Sequence, residues 1–283
     1  MAGQERNKDW DASLYLISTE DFHKIKQQPE FVKAALKADA YIGVAGAGWQ
    51  NIYIITLTEL LKHNKVKGLN INQFKISKQE VKPKLEKIVL VDVAEHQLAH
   101  NHALIKLLSQ HSVKHAQELI TDNLTFQGEA YKKFLQSQNN KHSITFSQSL
   151  IEKLDRKELL KPTNEELNRA KALPSVFKDL CDEETLKQVL NNLPDIEFEK
   201  GCYYKVLNKH LQKTDFNNCL CYTSNVTQYC KHCLEKQVCF KTLHESAVNS
   251  DKTLHAIHGL GPYVVKPLHE FLKHALTYWF RER

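Results

Sequence analysis

The stretch that decides the fold is residues 39–51, DAYIGVAGAGWQN. Its short apolar run contains and leads into Gly43, Gly46 and Gly48, three glycines within six positions of a chain that has nine glycines in 283 residues. Glycine permits positive φ angles and lets a ligand approach the main chain closely. Residues 52–64 that follow are apolar enough for a helix lying against a sheet. A strand, a glycine turn and a helix in this order predict the first nucleotide-binding unit of a doubly wound α/β fold.

A second strand is predicted at residues 87–93, KIVLVDV, because a continuous β-branched run suits a strand buried on both faces of a parallel sheet. This run contains an acid, Asp92, near its end. Further strands are predicted at residues 143–146, 218–223 and 237–243, with helices between them. The fold class that follows is α/β, with a doubly wound, Rossmann-like sheet.

This order of elements divides the chain into four parts. Residues 1–38 are an N-terminal helical segment, and residues 39–154 are the Rossmann-like half that binds a cofactor. Residues 155–215 are charged and punctuated by prolines, which predicts a helical insertion or cap over the cofactor cleft. Residues 216–283 supply the C-terminal half of the sheet and a terminal amphipathic helix.

With the glycine turn and the later acid in view, the chain resembles a class I S-adenosylmethionine-dependent methyltransferase. In that family the glycine loop passes under the methionine and ribose parts of the cofactor, and the acid that closes the second strand holds the ribose hydroxyls. The resemblance therefore implies Gly43, Gly46 and Gly48 for the loop and Asp92 for the ribose. A carboxylate suits this role because it can accept two hydrogen bonds from a diol.

The same resemblance implies residues on the later strands. It places a polar residue near the adenine after the third strand, which here would be Ser147 or Gln148. It also places a short polar motif beside the acceptor after the fourth strand, where Asn225 and Tyr229 lie. His258 precedes a second glycine turn and would act as a general base at the carboxyl edge of the sheet; the alternative is a histidine that caps the turn.

The chain also departs from the family pattern. The acid nearest to the first strand, Asp39, precedes it instead of following it. Gly48 and Asp92 are 44 residues apart instead of about 20, so an insertion at residues 64–86 is required. Asn51 stands where the nicotinamide-binding pattern G-x-G-x-x-G has its third glycine, which weakens that alternative. A further alternative is that the glycines only allow a helix to pack closely.

The cysteines support a hypothesis of another class. Cys219, Cys221, Cys230 and Cys233 could supply four ligands to a tetrahedral zinc ion. Cys219 and Cys221 fall on a predicted apolar strand, however, where a cysteine is usually a small core residue. Apart from this alternative, no metal site is predicted. A non-enzymatic, Rossmann-like interaction protein with a zinc-stapled C-terminal part is therefore the main alternative function.

The composition restricts the cellular setting. The net charge is +6 and the basic residues are interspersed with acids, so nucleic-acid binding is not indicated. The polar N-terminal segment predicts no secretory signal, no stretch is long and apolar enough to predict a membrane span, and the seven cysteines are expected to be reduced. We therefore expect a cytoplasmic protein. Its predicted activity is transfer of a methyl or aminocarboxypropyl group from S-adenosylmethionine to an acceptor that the sequence does not identify.

Overall fold

The computed structural model of the chain describes residues 22–124, 129–137, 148, 151–152, 164–213, 215–223, 236–258 and 264–279. Within these ranges the centre is a six-stranded sheet with the strand order β3-β2-β1-β4-β5-β6. The first five strands are parallel, and β6 runs antiparallel to β5. The strands are β1 (Ala40–Val44), β2 (Lys87–Asp92), β3 (Ile196–Lys200), β4 (Asn218–Tyr222), β5 (Thr253–His258) and β6 (Val264–Pro267).

Helices cover both faces of this sheet. The apolar side chains of α1 to α7 pack with one face of the sheet, and those of α8 to α10 pack with the other face. The strand order reverses between β1 and β4, which is the topological switch point of a doubly wound fold. The predicted fold class is therefore confirmed. The described α-helices are α1 (Pro29–Lys37), α2 (Trp49–Lys62), α3 (Glu95–Gln110), α4 (Val113–Leu124), α5 (Glu129–Ser137), α6 (Asn164–Lys178), α7 (Glu183–Asn191), α8 (Tyr203–Leu211), α9 (Lys236–Asn249) and α10 (Leu268–Trp279).

The central strands lie where the apolar runs predicted them. All five residues of β1 and the middle four of β2 are buried, because helices pack on both faces. The excursion between α2 and β2 contains two short 3₁₀ helices, Ile71–Phe74 and Lys78–Glu80. This excursion accounts for the long separation of Gly48 and Asp92 in sequence, and β1 and β2 are neighbours nevertheless.

The third strand differs from the prediction. Residues 143–146 lie outside the described residues, and the strand that pairs with β2 is Ile196–Lys200. This strand falls inside residues 155–215, for which only helices were predicted. The same segment contains the helices α6, α7 and α8. The segment therefore contributes an edge strand to the sheet as well as helices.

The prediction of a fifth strand at residues 237–243 is wrong. These residues belong to α9, because Cys239, Phe240, Leu243 and Ala247 are buried at the three- and four-residue spacing of one helix face. The fifth strand is Thr253–His258, in which Leu254 and Ala256 contribute to one face of the sheet and Ile257 contributes to the other.

No helix within the described ranges combines the length and the apolar character that crossing a membrane would need.

Candidate functional site

The glycine turn joins the end of β1 to the start of α2. Residues Ala45–Ala47 form one 3₁₀ turn, and Gly48 then adopts φ 46° and ψ −112° before α2 begins. A Cβ atom on Gly48 would meet the His100 ring only at 3.8 Å, which is ordinary van der Waals contact. The backbone conformation, and not a lack of space, therefore requires glycine at this position.

Asp92 lies directly beside this turn. The Gly46 main-chain N–H donates a hydrogen bond to Asp92 Oδ2 at 2.9 Å, and the Ala94 N–H donates to Oδ1 at 3.0 Å. A Cβ atom on Gly46 would lie 3.3 Å from Asp92 Oδ2, so a side chain there would press on the carboxylate. The structure thus brings the predicted loop and the predicted ribose acid together at the carboxyl edge of the sheet. Their role in cofactor binding stays a prediction.

Asp92 lies at the accessible carboxyl edge of the sheet. It is half-buried, and the next residue, Val93, is 61% exposed. Lys200, which lies opposite Asp92 in the pairing of β2 with β3, forms an ion pair with Glu95 at 2.9 Å. The edge beside Asp92 therefore carries an exposed apolar side chain and a charged pair.

Two buried amide side chains, Asn51 and Asn101, hold the main chain of the turn in place. Asn51 Nδ2 donates to the Val44 carbonyl at 2.7 Å and to Asn101 Oδ1 at 3.3 Å, while Asn51 Oδ1 accepts from the Tyr41 hydroxyl at 2.7 Å. Asn101 Nδ2 donates to the Ala45 carbonyl at 2.5 Å. These side chains are fully buried, so the network fixes the path of the main chain where β1 ends. Sequence reasoning noted Asn51 only as a missing glycine and did not identify Asn101.

This network explains the first glycine. A Cβ atom on Gly43 would lie 2.4 Å from Asn51 Oδ1 and 2.7 Å from the Tyr41 ring, which are impossible contacts. For Gly43 the alternative of close packing is therefore sufficient, because the glycine makes room for Asn51. Trp49, which follows the turn, contacts Phe177 of α6 edge to face with ring centroids 6.1 Å apart. Its indole is thus part of the helical layer.

The switch point is bridged by a second polar contact. Tyr222, the last residue of β4, donates its hydroxyl to Gln50 Oε1 in the first turn of α2 at 2.5 Å. The following Thr223 is buried, and its hydroxyl donates to the Ile257 carbonyl. The predicted acceptor residues Asn225 and Tyr229 come next in sequence and lie outside the described residues.

Two other predicted site residues are described. Gln148 is exposed and donates to Glu152 at 3.2 Å. His258 ends β5 and contacts Phe271 of α10, with ring centroids 4.9 Å apart and the ring planes tilted by 49°. Because β5 is three positions from β2 in the sheet, roughly 14 Å separates the ends of these two strands. The structure therefore does not bring His258 to Asp92.

The cysteines of the zinc hypothesis are described only in part. Cys219 and Cys221 are buried side by side on β4, with their Sγ atoms 3.8 Å apart, in the apolar layer under α8 to α10. Burial and the neighbouring Cys221 thiol raise the pKa of Cys219 well above its usual value, which opposes formation of a thiolate ligand. Cys230 and Cys233 lie outside the described residues.

A charged cluster on β3 was not predicted. His210 Nε2 lies 2.5 Å from Glu199 Oε1, and Glu197 is close enough to complete a group with metal-ligand geometry. Lys209 donates to Glu199 at 2.8 Å, and Lys87 donates to Glu197 at 2.7 Å. The ammonium groups of Lys209 and Lys87 thus neutralise the carboxylates of Glu199 and Glu197, respectively.

No model of a known protein family matches this chain, and no curated protein matches it in sequence. The chemistry of the site therefore has to be inferred from its own residues. The described carboxyl edge offers a carboxylate and main-chain donors, with the His100 ring beside Gly48. Such an edge can bind and align a small polar molecule.

Proposed function

We propose that the chain is a cytoplasmic transferase that uses S-adenosylmethionine to move a methyl or aminocarboxypropyl group to a further molecule. The observation that carries this proposal is the hydrogen bond between the Gly46 N–H and Asp92 Oδ2. It places a carboxylate against the bare main chain of the turn, beside the switch point at which doubly wound folds bind their ligands. Asp92 would accept the ribose hydroxyls, and Val93 would offer its apolar surface to the attached base.

The rigid main chain of the turn is consistent with this chemistry. S-Adenosylmethionine supplies an electrophilic carbon on its sulfonium, so the protein mainly has to align donor and acceptor and to exclude water. No protein nucleophile is required. The fixed path of the main chain from Val44 to Gly48, held by Asn51 and Asn101, provides a rigid support for the donor.

The nicotinamide alternative is less favoured by the geometry. Dinucleotide-binding turns have a glycine at the position of Asn51 so that the helix can pack close to the strand and the pyrophosphate. Here the Asn51 side chain occupies that space and forms hydrogen bonds with Tyr41 and Val44. The Asn51 side chain thus occupies the position at which a dinucleotide-binding turn has no side chain.

Calorimetric titration with S-adenosylhomocysteine tests the proposal. The wild-type protein should bind it, and Asp92→Asn should weaken binding at least about 10-fold, because hydrogen bonds to a charged acceptor are the stronger ones. Asp251→Asn is the matched control, since Asp251 is exposed and lies two residues before β5, at the amino edge of the sheet. Thermal melting of each variant separates lost binding from lost folding.

Two results would contradict the proposal. Absence of binding of both S-adenosylmethionine and S-adenosylhomocysteine to the folded wild-type protein would favour the interaction-protein alternative. Binding that Asp92→Asn leaves unchanged would place the ligand elsewhere. Elemental analysis that finds one zinc ion per chain would support the zinc-stapled form of that alternative.

A further inference from the structure

The positive charge of the chain is concentrated in two described segments, which together are called the basic surface below. Residues 22–37 comprise the 3₁₀ helix Phe22–Gln27 and α1, and residues 63–86 form the excursion between α2 and β2. These segments contain ten lysines and three glutamates, a net charge of +7, whereas the whole chain carries +6. The rest of the chain is therefore close to neutral, at −1. Such a charge asymmetry indicates an anionic partner.

The fold joins the two segments at the amino edge of the sheet. α1 ends at Lys37, shortly before β1, and residues 63–86 lead directly into the first residue of β2. The Lys82 N–H donates to the Leu36 carbonyl at 2.9 Å, and the Lys37 ammonium pairs with Glu80. In sequence the two segments are separated by β1 and α2, so the order of charges along the chain does not show that they meet.

Four lysines of the basic surface are available to a partner. Their side chains are exposed and form no ion pair among the described residues, and they are Lys33, Lys65, Lys75 and Lys84. By contrast, Lys26 and Lys67 donate to main-chain carbonyls at the end of α6, at 3.1 and 3.2 Å. An anion that carries several charges gains most from the four uncompensated ammonium groups, because it can contact them together.

The other side chains of the basic surface restrict the class of anion. Its described aromatic rings, Phe31 and Phe74, are buried, so its described residues offer no ring on which a single-stranded base could stack. The exposed large apolar side chains of the described residues, Val93, Val238 and Val248, lie outside both segments, and an anchor on a membrane surface requires such side chains. A nucleic-acid duplex requires neither feature, because its phosphates are bound by charge.

We propose that the basic surface binds the phosphate backbone of double-stranded nucleic acid without reading its sequence. This inference does not depend on the proposed transferase activity. The five residues of β1 span about 17 Å, so a duplex at the amino edge leaves Asp92 and the glycine turn accessible at the carboxyl edge. The inference differs from the expectation drawn from the sequence because the fold brings together lysines that are distant along the chain.

Fluorescence anisotropy with a short, labelled DNA duplex tests the proposal on the full chain. The test variant replaces with glutamine the four available lysines, Lys33, Lys65, Lys75 and Lys84. The control variant makes the same replacement at four exposed lysines outside the basic surface, and these are Lys133, Lys171, Lys241 and Lys273. Both variants lose the same charge, so they differ only in where it is lost. Thermal melting verifies folding, and the single substitutions Lys33→Gln and Lys75→Gln serve if the test variant does not fold.

The wild-type protein should bind the duplex with an affinity that falls as the salt concentration rises. Each lysine that contacts a phosphate contributes about 0.9 to the slope of log K against log salt concentration. The test variant should therefore lose about 3–4 from this slope and at least about 10-fold in affinity at about 50 mM salt, and each single substitution should lose about 1 from the slope. The control variant should stay within about threefold of the wild-type affinity.

Absence of duplex binding by the wild-type protein, or equal losses in the test and control variants, would overturn the inference. Two competing partners are measured in parallel: a single strand of the same length, and vesicles of equal parts phosphatidylcholine and phosphatidylserine. Tighter binding of either one than of the duplex would also overturn the inference. None of these results bears on the binding of S-adenosylhomocysteine, which tests the proposed function separately.

Discussion

Replacing Asn51 with leucine should destabilise the protein strongly, although the two side chains are similar in size. The substitution removes three buried hydrogen bonds, to the Tyr41 hydroxyl, the Val44 carbonyl and Asn101 Oδ1. A hydrogen bond contributes about 1 kcal/mol net, and a buried group that loses its partner adds to the loss. We therefore expect the free energy of unfolding to fall by about 3 kcal/mol, a large fraction of the stability of an ordinary domain.

The measurement is urea unfolding at 25 °C, followed by circular dichroism. Thr58→Val is the matched control, because Thr58 is also fully buried on α2 but donates only to the Ile54 carbonyl of its own helix at 2.8 Å. It should lose no more than about 1 kcal/mol. If Asn51→Leu is no less stable than Thr58→Val, the Asn51 network does not hold the glycine turn and the reasoning is refuted.

Three further predictions concern stability and are measured in the same way. Gly43→Ala should lower the free energy of unfolding by about 3 kcal/mol because its Cβ would lie 2.4 Å from Asn51 Oδ1. Gly48→Ala should lower it by about 1–3 kcal/mol because of the φ of 46°. The control is Gly201→Ala, whose Cβ would make only an ordinary contact with Val206 at 3.4 Å; equal losses in all three variants would contradict this. Burial lowers the pKa of Lys62 to about 8. Between pH 8 and 10.5, the usual pKa of a lysine, Lys62 is protonated in the unfolded chain but not in the folded one. The free energy of unfolding of the wild-type protein should therefore rise by up to about 3 kcal/mol as the pH rises through this range. Lys62→Met should lack this rise, and identical pH profiles of the two proteins would refute the prediction. Asp39→Asn should lower the free energy of unfolding by about 2 kcal/mol, because it weakens the hydrogen bonds from the main-chain amides of Asn217 and Asn218. Binding of S-adenosylhomocysteine to the folded variant should stay within about twofold of wild type. A loss of binding without a loss of stability would contradict this prediction.

The middle of the sheet could be predicted from the sequence, but its edge could not. β1 and β2 are apolar because helices cover both of their faces, and such runs are conspicuous. β3 has the sequence IEFEK, in which Glu197 and Glu199 alternate with apolar residues. Those acids form ion pairs with Lys87 and Lys209. The alternation of apolar and acidic residues has the two-residue period of a half-buried strand, but one run of five residues is a weak signal within a segment rich in charged residues.

Helix α9 shows the opposite error. The segment QVCFKTL has enough β-branched and aromatic residues to look like a strand, and only its continuation to Ala247 shows the helical spacing of its buried residues. The short run from Thr253 to His258, which alternates in burial, was interpreted as the approach to a turn. Short apolar segments are ambiguous in this way because a single helix turn and a single strand bury similar residues.

The candidate site could be predicted in its local part only. Three glycines and one acid are visible in the sequence, and the parallel order of β1 and β2 brings Gly46 and Asp92 together. The residues that fix the turn are not visible, because Asn51 and Asn101 are 50 positions apart and Gln50 and Tyr222 are 172 positions apart. Side-chain amides give no periodic pattern, so only the folded structure shows that they meet.

A comparison of Asp39 and Asp92 shows why the carboxyl edge of the sheet is a better candidate binding site than the amino edge. Asp39 precedes β1 and accepts hydrogen bonds from the main-chain amides of Asn217 and Asn218, much as Asp92 accepts them from Gly46 and Ala94. Asp39 is 3% exposed, however, whereas Asp92 is half-buried. Asp39 is thus a structural residue at the amino edge of the sheet. A ligand has to reach the acceptor that binds it, and of these two carboxylates Asp92 is the more exposed.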